Sequence, residues 1–183
     1  MCLVLALGFV LTEHARIAQE LALYGSSSAS FSIGSIHCTI TMYKDGVKVF
    51  EQYHAGAMTT LGFNYTLGKI TGNMTENYYN ATSFPMNVTY VSIGDQGTVN
   101  AASINLPGEW NKTQGTHHDM LSSSFNVTAV FHPDTGPYTA DCIGLCFDDT
   151  IGDGSLFCYD TFTEVSGIDN TFTITAEFKV SIS

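Results

Sequence analysis

Basic side chains are scarce in this 183-residue sequence, which has 6 Lys and Arg against 17 Asp and Glu and a formal net charge of -11. A nucleic-acid-binding protein neutralises phosphates with clustered Lys and Arg, and this chain has too few to build such a cluster. Charged residues of either sign make up 13% of the chain, about half the usual share of a soluble domain. We therefore expect no nucleic-acid partner.

The sequence also lacks the short motifs that mark common catalytic sites. It contains no Gly-x-Ser-x-Gly, no His-Glu-x-x-His, no P-loop and no Gly-x-Gly-x-x-Gly. Acidic residues such as Glu109 and Asp119 are present, but nothing in the sequence places two carboxylates face to face, as glycoside hydrolysis requires. We therefore predict a protein that is not an enzyme and that uses no cofactor.

Thr, Ser, Gly and aromatic residues are abundant, as in β-rich extracellular proteins. From residue 31 onward apolar and polar residues alternate, which is the period of a β-strand, and Lys44-Asp45-Gly46 is a hairpin signal between two such runs. Strands are expected over 36–42, 47–50, 61–67, 86–93, 98–105, 125–131, 138–147, 156–165 and 172–182. We take the polar stretch 111–124 as a loop. The pattern predicts a mainly β fold, a two-sheet sandwich over 31–183.

The N-terminal segment 1–24 is the one helix-like part of the sequence. Its apolar residues recur at spacings of three and four, as in Leu3, Leu7, Val10, Leu11, Ile17 and Leu21. Gly25 stands where a helix ends, and the Gly/Ser stretch 25–30 predicts a flexible neck before the β domain.

Several interpretations of this segment compete. It lacks the basic start of a signal peptide, and its uncharged run over 1–11 is shorter than the about 18–20 residues of a membrane span. A helix lying against the β domain is one alternative. We favour a retained helix that packs against copies of itself, because its first turns are apolar on every face.

Six of the ten asparagines lie in Asn-x-Thr sequons without a proline in the middle: Asn64, Asn73, Asn80, Asn87, Asn111 and Asn126. A chain with this Ser and Thr content would carry about two by chance. Because a glycan cannot be buried, the sequons predict a sugar-coated surface and an extracellular protein with covalent N-glycans. The alternative is that a Thr-rich chain forms these sequons by composition alone.

Four of the five cysteines are disulfide candidates: Cys38, Cys142, Cys146 and Cys158. A hairpin between Cys146 and Cys158 would bring this pair together, which makes their bridge the first choice, with Cys142–Cys38 the second. Cys2 is taken as an apolar residue of the helix. The Cys-x-x-x-Cys pair is also compatible with zinc, together with one of His117, His118 and His132.

Two further groups have the composition of binding sites. Asp148, Asp149 and Asp153 lie in a Gly-containing loop, as calcium ligands do, but they miss the EF-hand spacing, and we expect no metal. Trp110, the single tryptophan, is either a platform for a sugar ring or an anchor in the core.

An apolar N-terminal helix, a short neck and a Thr-rich, sequon-rich β domain together resemble the archaeal type IV pilin and archaellin superfamily. Residues 1–24 match its core helix and residues 30–183 its outer domain, although Glu13, Arg16 and Glu20 come earlier than charges usually do in such helices. The resemblance implies an immunoglobulin-like β-sandwich preceded by one hydrophobic α-helix.

We therefore predict a structural subunit of an extracellular cell-surface filament, a homopolymer joined through its N-terminal helix. The alternatives are a secreted monomer that binds glycans as an adhesin module, and a virion coat or donor-strand filament subunit. These classes differ in their partner: a second copy of the chain, a sugar, or a strand of a neighbouring subunit.

Overall fold

A computed structural model describes residues 33–71, 88–95, 98–121, 124–152 and 155–182 of the chain. In these residues the protein is mainly β, with two antiparallel sheets and one short helix, so the mainly β fold expected from the alternation is confirmed. The predicted polymerisation helix over 1–24 and the neck over 25–30 lie outside the described residues, as do Asn73, Asn80, Asn87 and Asp153.

Ten strands and one helix follow one another in the described part of the chain: β1 (Ile33–Lys44), β2 (Val47–Ala55), β3 (Ala57–Met58), α1 (Thr60–Thr71), β4 (Tyr90–Gly94), β5 (Asn111–Gln114), β6 (Thr116–Leu121), β7 (Ser124–Phe131), β8 (Tyr138–Cys146), β9 (Leu156–Ile168) and β10 (Phe172–Ile182). The first sheet has the order β2-β1-β10-β7-β6 and the second the order β3-β9-β8-β4-β5. The C-terminal strand β10 is therefore paired within the chain, between β1 and β7.

The inner faces of the two sheets share one apolar core. Phe178 of β10 and Phe131 of β7 meet Val91, Ile143 and Leu145 of the second sheet in a single cluster of buried residues. Alternation along each strand places every second side chain in this cluster and the others outside it. Each large side chain buried in this way stabilises the fold by roughly 1.5–3 kcal/mol.

The predicted hairpin at Lys44-Asp45-Gly46 is confirmed. Asp45 and Gly46 have φ values of 50° and 78°, the left-handed backbone of the two-residue turn that best suits the twist of a hairpin. Because most L-residues adopt this backbone at a cost, the Asp-Gly dipeptide is the chemical reason that the chain reverses here.

The strand predicted over 61–67 is wrong, because these residues belong to α1. Thr59 caps the helix: its Oγ1 accepts a hydrogen bond of 2.9 Å from the Gly62 N–H and itself donates to the Leu156 carbonyl at 2.7 Å. A Cβ at Gly62 would collide with the Phe157 carbonyl, so glycine lets the helix lie against β9. Among the described residues no helix is long and apolar enough to cross a membrane.

Two other predictions about the middle of the chain are wrong. Residues 98–105 form turns and irregular backbone, whereas the polar stretch 111–124 contains β5 and β6, which are edge strands. Edge strands bury little, so they need no apolar alternation and are easily taken for loops. Gly115 lies where the chain passes from β5 in one sheet to β6 in the other, and a Cβ there would collide with the Val127 side chain.

A polar contact joins the sheets beside the core. His54 Nδ1 of β2 lies 2.8 Å from Asp160 Oδ1 of β9, and the Thr161 N–H donates to the same oxygen at 2.8 Å. Asp160 is buried, and this burial raises the pKa of its carboxyl group, although the hydrogen bond with His54 lowers it. The ionised Asp160 is thus costly for the fold even with its two partners.

We predict that this carboxylate makes stability fall with rising pH. Because the pKa of Asp160 is higher in the folded chain, the folded state holds a proton above the ordinary aspartate pKa that the unfolded chain has already lost. Unfolding by urea at a series of pH values should show this decrease between the ordinary and the raised pKa, and Asp160→Asn should remove it. The exposed Asp134→Asn is the control; an unchanged pH profile in Asp160→Asn would contradict the assignment.

Candidate functional site

The surface of the β domain carries three of the predicted glycosylation sequons. Asn64 lies in α1, Asn111 is the first residue of β5, and Asn126 lies in β7. All three asparagines are half-buried, and none belongs to the core. Their positions on a helix, an edge strand and a sheet face spread the sequons over different sides of the described domain.

Asn126 occupies the outer face of the first sheet. Its neighbour Val127 is fully buried, so the alternation of β7 directs Asn126 and the sequon residue Thr128 to the other side. The Asn126 amide donates a 3.4 Å hydrogen bond to Glu177 Oε1, and its register partner in β10 is Lys179. A glycan on this amide would lie over a polar sheet surface without displacing any core side chain.

Asn111 is flanked by a buried ion pair that sequence reasoning missed. Lys112 Nζ lies 3.1 Å from Glu109 Oε1, and the two side chains are only 2% and 4% exposed. Lys112 Nζ also donates to the Thr150 carbonyl at 2.7 Å, and the Gly152 N–H donates to Glu109 Oε2 at 2.7 Å. The pair therefore binds the loop after β8 to the start of β5. The Glu-x-x-Lys spacing was the available sequence signal.

The same loop contains the calcium candidates. Asp148 Oδ1 accepts a 2.8 Å hydrogen bond from the Thr150 N–H, and this bond is the main reason that the pKa of Asp148 is lowered. Asp149 Oδ1 accepts from the Thr150 hydroxyl at 3.4 Å. These carboxylates thus accept hydrogen bonds from their own loop. The positive charge beside the loop is the ammonium group of Lys112. Across the described ranges no group of three or more His, Cys, Asp or Glu side chains could hold a metal ion.

The four described cysteines are thiols, and the structure forms neither the Cys146–Cys158 nor the Cys142–Cys38 bridge. The reason for the first is the pleat: Cys146 and Cys142 belong to a small cluster with Leu106, whereas Cys158 faces the main core together with Cys38. Burial raises the pKa of Cys146 to about 11 and raises the pKa of Cys38 and of Cys158 well above the ordinary value. These thiols are poor nucleophiles and poor metal ligands as they stand.

The three alternative histidine ligands for zinc belong to the first sheet or directly follow one of its strands, as His132 follows β7. His117 and His118 lie in β6 of the first sheet, whereas Cys142 and Cys146 lie in β8 of the second. The His117 ring packs 6.1 Å from that of Phe125, and burial, followed by the effect of His118, lowers its pKa. The arrangement favours packing over metal binding for this ring.

Trp110 is held as a packing residue. Its ring stacks on Tyr138 with centroids 4.4 Å apart and an angle of 4°, and its Nε1–H donates to the Thr139 carbonyl at 2.8 Å. The half-buried indole also packs against the main core. One ring face and the only polar atom are thus engaged by the protein, which favours the core-anchor interpretation over a sugar platform.

The edge strand β2 carries three exposed apolar side chains, Val47, Val49 and Tyr53. These side chains are 65%, 53% and 64% exposed. Sequence alternation predicted the strand but could not show that β2 lies at an edge, where its outward residues have no covering element. The register with β1 places Tyr53 opposite Thr39 on the outer face, where its ring stacks on His37 with centroids 5.2 Å apart, and places Val47 opposite Lys44 on the other face. These side chains are therefore exposed singly and do not form one continuous apolar surface.

We predict that the contributions of Glu109 and Lys112 to the free energy of unfolding are coupled. Lys112→Met leaves a buried carboxylate without its counter-charge and should lower the free energy of unfolding by about 3–5 kcal/mol. The double variant Glu109→Gln, Lys112→Met removes both charges and keeps the acceptor for Gly152, so it should recover most of that loss. Urea unfolding measures the free energy of unfolding of the single and double variants. If the double variant lost as much stability as Lys112→Met, this result would contradict the coupling. The Asn111 sequon stays intact in each variant.

Comparison with known proteins leaves the function to be argued from these residues. No family model matches the chain, and neither a characterised protein nor a solved structure matches it.

Proposed function

We propose that this protein is the structural subunit of an extracellular, N-glycosylated cell-surface filament. In this proposal residues 1–24 form the helix through which copies polymerise, and residues 31–183 form an immunoglobulin-like β-sandwich displayed outside. The observation that carries the proposal is the placement of the sequons: Asn64, Asn111 and Asn126 all lie outside the core of a mainly β domain. Sugar acceptors on several sides of a β domain are typical of a surface exposed outside the cell.

The pairing of β1 on both sides favours a domain that resists force applied along this strand. The chain enters the described domain at Ile33, and β1 is hydrogen-bonded on both sides, to β2 and to β10. Its register with β10 runs from Ile33 to Lys44. Force applied along β1 would have to break many backbone hydrogen bonds at the same time. This arrangement resists mechanical unfolding, which is an advantage for a filament subunit.

The proposed polymerisation helix would supply the affinity between subunits. Residues 1–11 carry no charged side chain and are apolar or glycine throughout, so a helix over them has no polar face. A helix that is apolar all round is stable only when it is buried on all sides. Each such side chain contributes roughly 1.5–3 kcal/mol when fully buried. A bundle of identical helices offers this burial, and a contact that does not close into a ring extends it into a filament.

Other function classes have less support. A glycan-binding module would use Trp110, but its ring is stacked on Tyr138 and its Nε1–H is bonded to the Thr139 carbonyl. A donor-strand filament would need a sheet completed by a neighbouring subunit, whereas β10 is paired within the chain on both of its edges.

Deletion of residues 1–24 is the direct test of polymerisation. We expect material sheared from cells that make the full chain to contain uniform filaments in electron micrographs, and the deletion variant to be secreted as a soluble monomer. A cooperative urea unfolding transition of the deletion variant should show that the β domain folds without residues 1–24. Filaments formed normally by the deletion variant, or none formed by the full chain, would refute the proposal.

Glycosylation is tested separately, at Asn126. Thr128→Ala destroys this sequon at an outward position, so the mass of the intact secreted protein should fall by one glycan, and the Asn126 peptide should be unmodified. Thr39→Ala is the matched control, because Thr39 lies on the same sheet outside any sequon. A wild-type protein whose mass equals that of its amino acids would show that the sequons are unused.

A further inference from the structure

The outer face of the first sheet places Tyr53 in the same register row as the sequon residue Thr128. Thr128 of β7 pairs with Glu177 of β10, Glu177 pairs with Thr39 of β1, and Thr39 pairs with Tyr53 of β2. Cross-strand partners point to the same face, and the fully buried Phe178 next to Glu177 shows that this row lies on the outer face. The row therefore runs from the Asn126 sequon to the edge strand β2.

The Asn126 amide is directed along this row toward β2. Its Nδ2 atom, to which a sugar would be attached, lies 3.4 Å from Glu177 Oε1 on the neighbouring strand β10. Two strand spacings, about 10 Å, separate β10 from β2, and the residue between them in the row is Thr39, which has a small side chain. A sugar chain that begins at Asn126 is therefore directed across the first sheet toward Tyr53 and away from β6.

The ring of Tyr53 has the position and the chemistry to pack against a sugar. It stacks on His37 with an angle of 13° between the two planes, yet the residue is 64% exposed. The stack therefore fixes the orientation of the ring while most of its surface remains open. An aromatic ring presents an apolar face to the C–H groups of a sugar, and tyrosine adds a polar hydroxyl group.

The side chains between Asn126 and Tyr53 can bind sugar hydroxyl groups. Glu177 and Lys179 are exposed on β10, beside Asn126. A carboxylate accepts hydrogen bonds and an ammonium group donates them, whereas the Thr39 hydroxyl group on β1 can do both. An aromatic ring with a few polar groups beside it is a common composition of a ligand site.

We propose that the glycan on Asn126 lies across the outer face of the first sheet and packs against the ring of Tyr53. This inference rests on the proposed N-glycosylation and adds to it a binding site for the sugar on its own domain. The attached sugar is favoured over a free saccharide because its covalent link keeps it near the ring at a high effective concentration. The contact would connect the edge strand β2 to β7 through the sugar.

Nitration of tyrosine by tetranitromethane tests whether the glycan covers Tyr53. Thr128→Ala removes the Asn126 sequon, whereas the matched control Thr128→Ser changes the same residue and keeps the sequon. We expect Tyr53 to react about tenfold faster in Thr128→Ala than in the wild type or in Thr128→Ser, as for a ring that the glycan covers about nine-tenths of the time. Mass spectrometry of the peptides measures this rate. Tyr43, which lies on the same face but pairs with Thr173, should react at one rate in all three proteins.

Urea unfolding gives a second measurement of the same contact. Tyr53→Ala should lower the urea midpoint more in the glycosylated Thr128→Ser protein than in Thr128→Ala, because only the first has a sugar packed on the ring. The loss of stacking on His37 is common to both backgrounds and cancels in the comparison. Equal shifts in the two backgrounds would contradict the contact.

The outcomes separate this contact from the proposed function. An unmodified Asn126 in the wild type would refute the glycosylation and the contact together. A modified Asn126 with Tyr53 equally fast in Thr128→Ser and Thr128→Ala would refute the contact alone. If Tyr53 reacted slowly in Thr128→Ala as well, another group would cover the ring, and the assignment to the Asn126 glycan would be wrong.

Free oligosaccharide released from the wild type distinguishes an attached sugar from a separate one. Added to Thr128→Ala, it should protect Tyr53 from nitration only at about millimolar concentration, because the covalent link supplies the effective concentration in the wild type. Protection at micromolar concentration would instead indicate a site for a separate saccharide and would overturn the assignment.

Discussion

Burial of one face of each sheet against the other is the constraint on which the described structure depends. Val91 and Ile143 in the second sheet and Phe131 and Phe178 in the first are all fully or almost fully buried in one cluster. Because side chains alternate along a strand, fixing the inner residues also fixes which residues lie outside. The outward positions of Asn126 and Thr128 in β7 are consequences of that single arrangement.

The elements that depend on this burial could be predicted from the sequence. Alternation located β1, β7, β8, β9 and β10, which all contribute to the core, and Asp45-Gly46 located the turn between β1 and β2. The apolar spacing Leu61-Phe63-Tyr65 was equally regular but misleading. There the Thr59 cap and the close approach of Gly62 to β9 decide in favour of a helix, and both depend on a strand almost a hundred residues away. β5 and β6 were missed because these two edge strands, unlike the edge strand β2, show no apolar alternation in the sequence.

The candidate site was predictable where a local motif defines it and unpredictable where the fold brings residues together. An Asn-x-Thr sequon can be recognised in any sequence, and the structure adds only its position on the surface of the domain. The Glu109–Lys112 pair gives a spacing of three, but its burial beneath the loop at Thr150 depends on the meeting of β5 with that loop. The cysteines show the reverse case: Cys146 and Cys158 are close along the hairpin, yet the pleat turns them to opposite faces of the sheet.

The central position of β10 bears on the order of events while the protein is made. β10 is the last of the described strands in the chain, yet it lies between β1 and β7 and joins them into one sheet. The first sheet therefore closes only after the whole domain has been synthesised. Until then β7 has β6 as its only partner in the sheet, with Asn126 opposite His118. The central strand of the first sheet is thus the last of the described strands to be made, and β1 and β7 are joined only when β10 inserts between them.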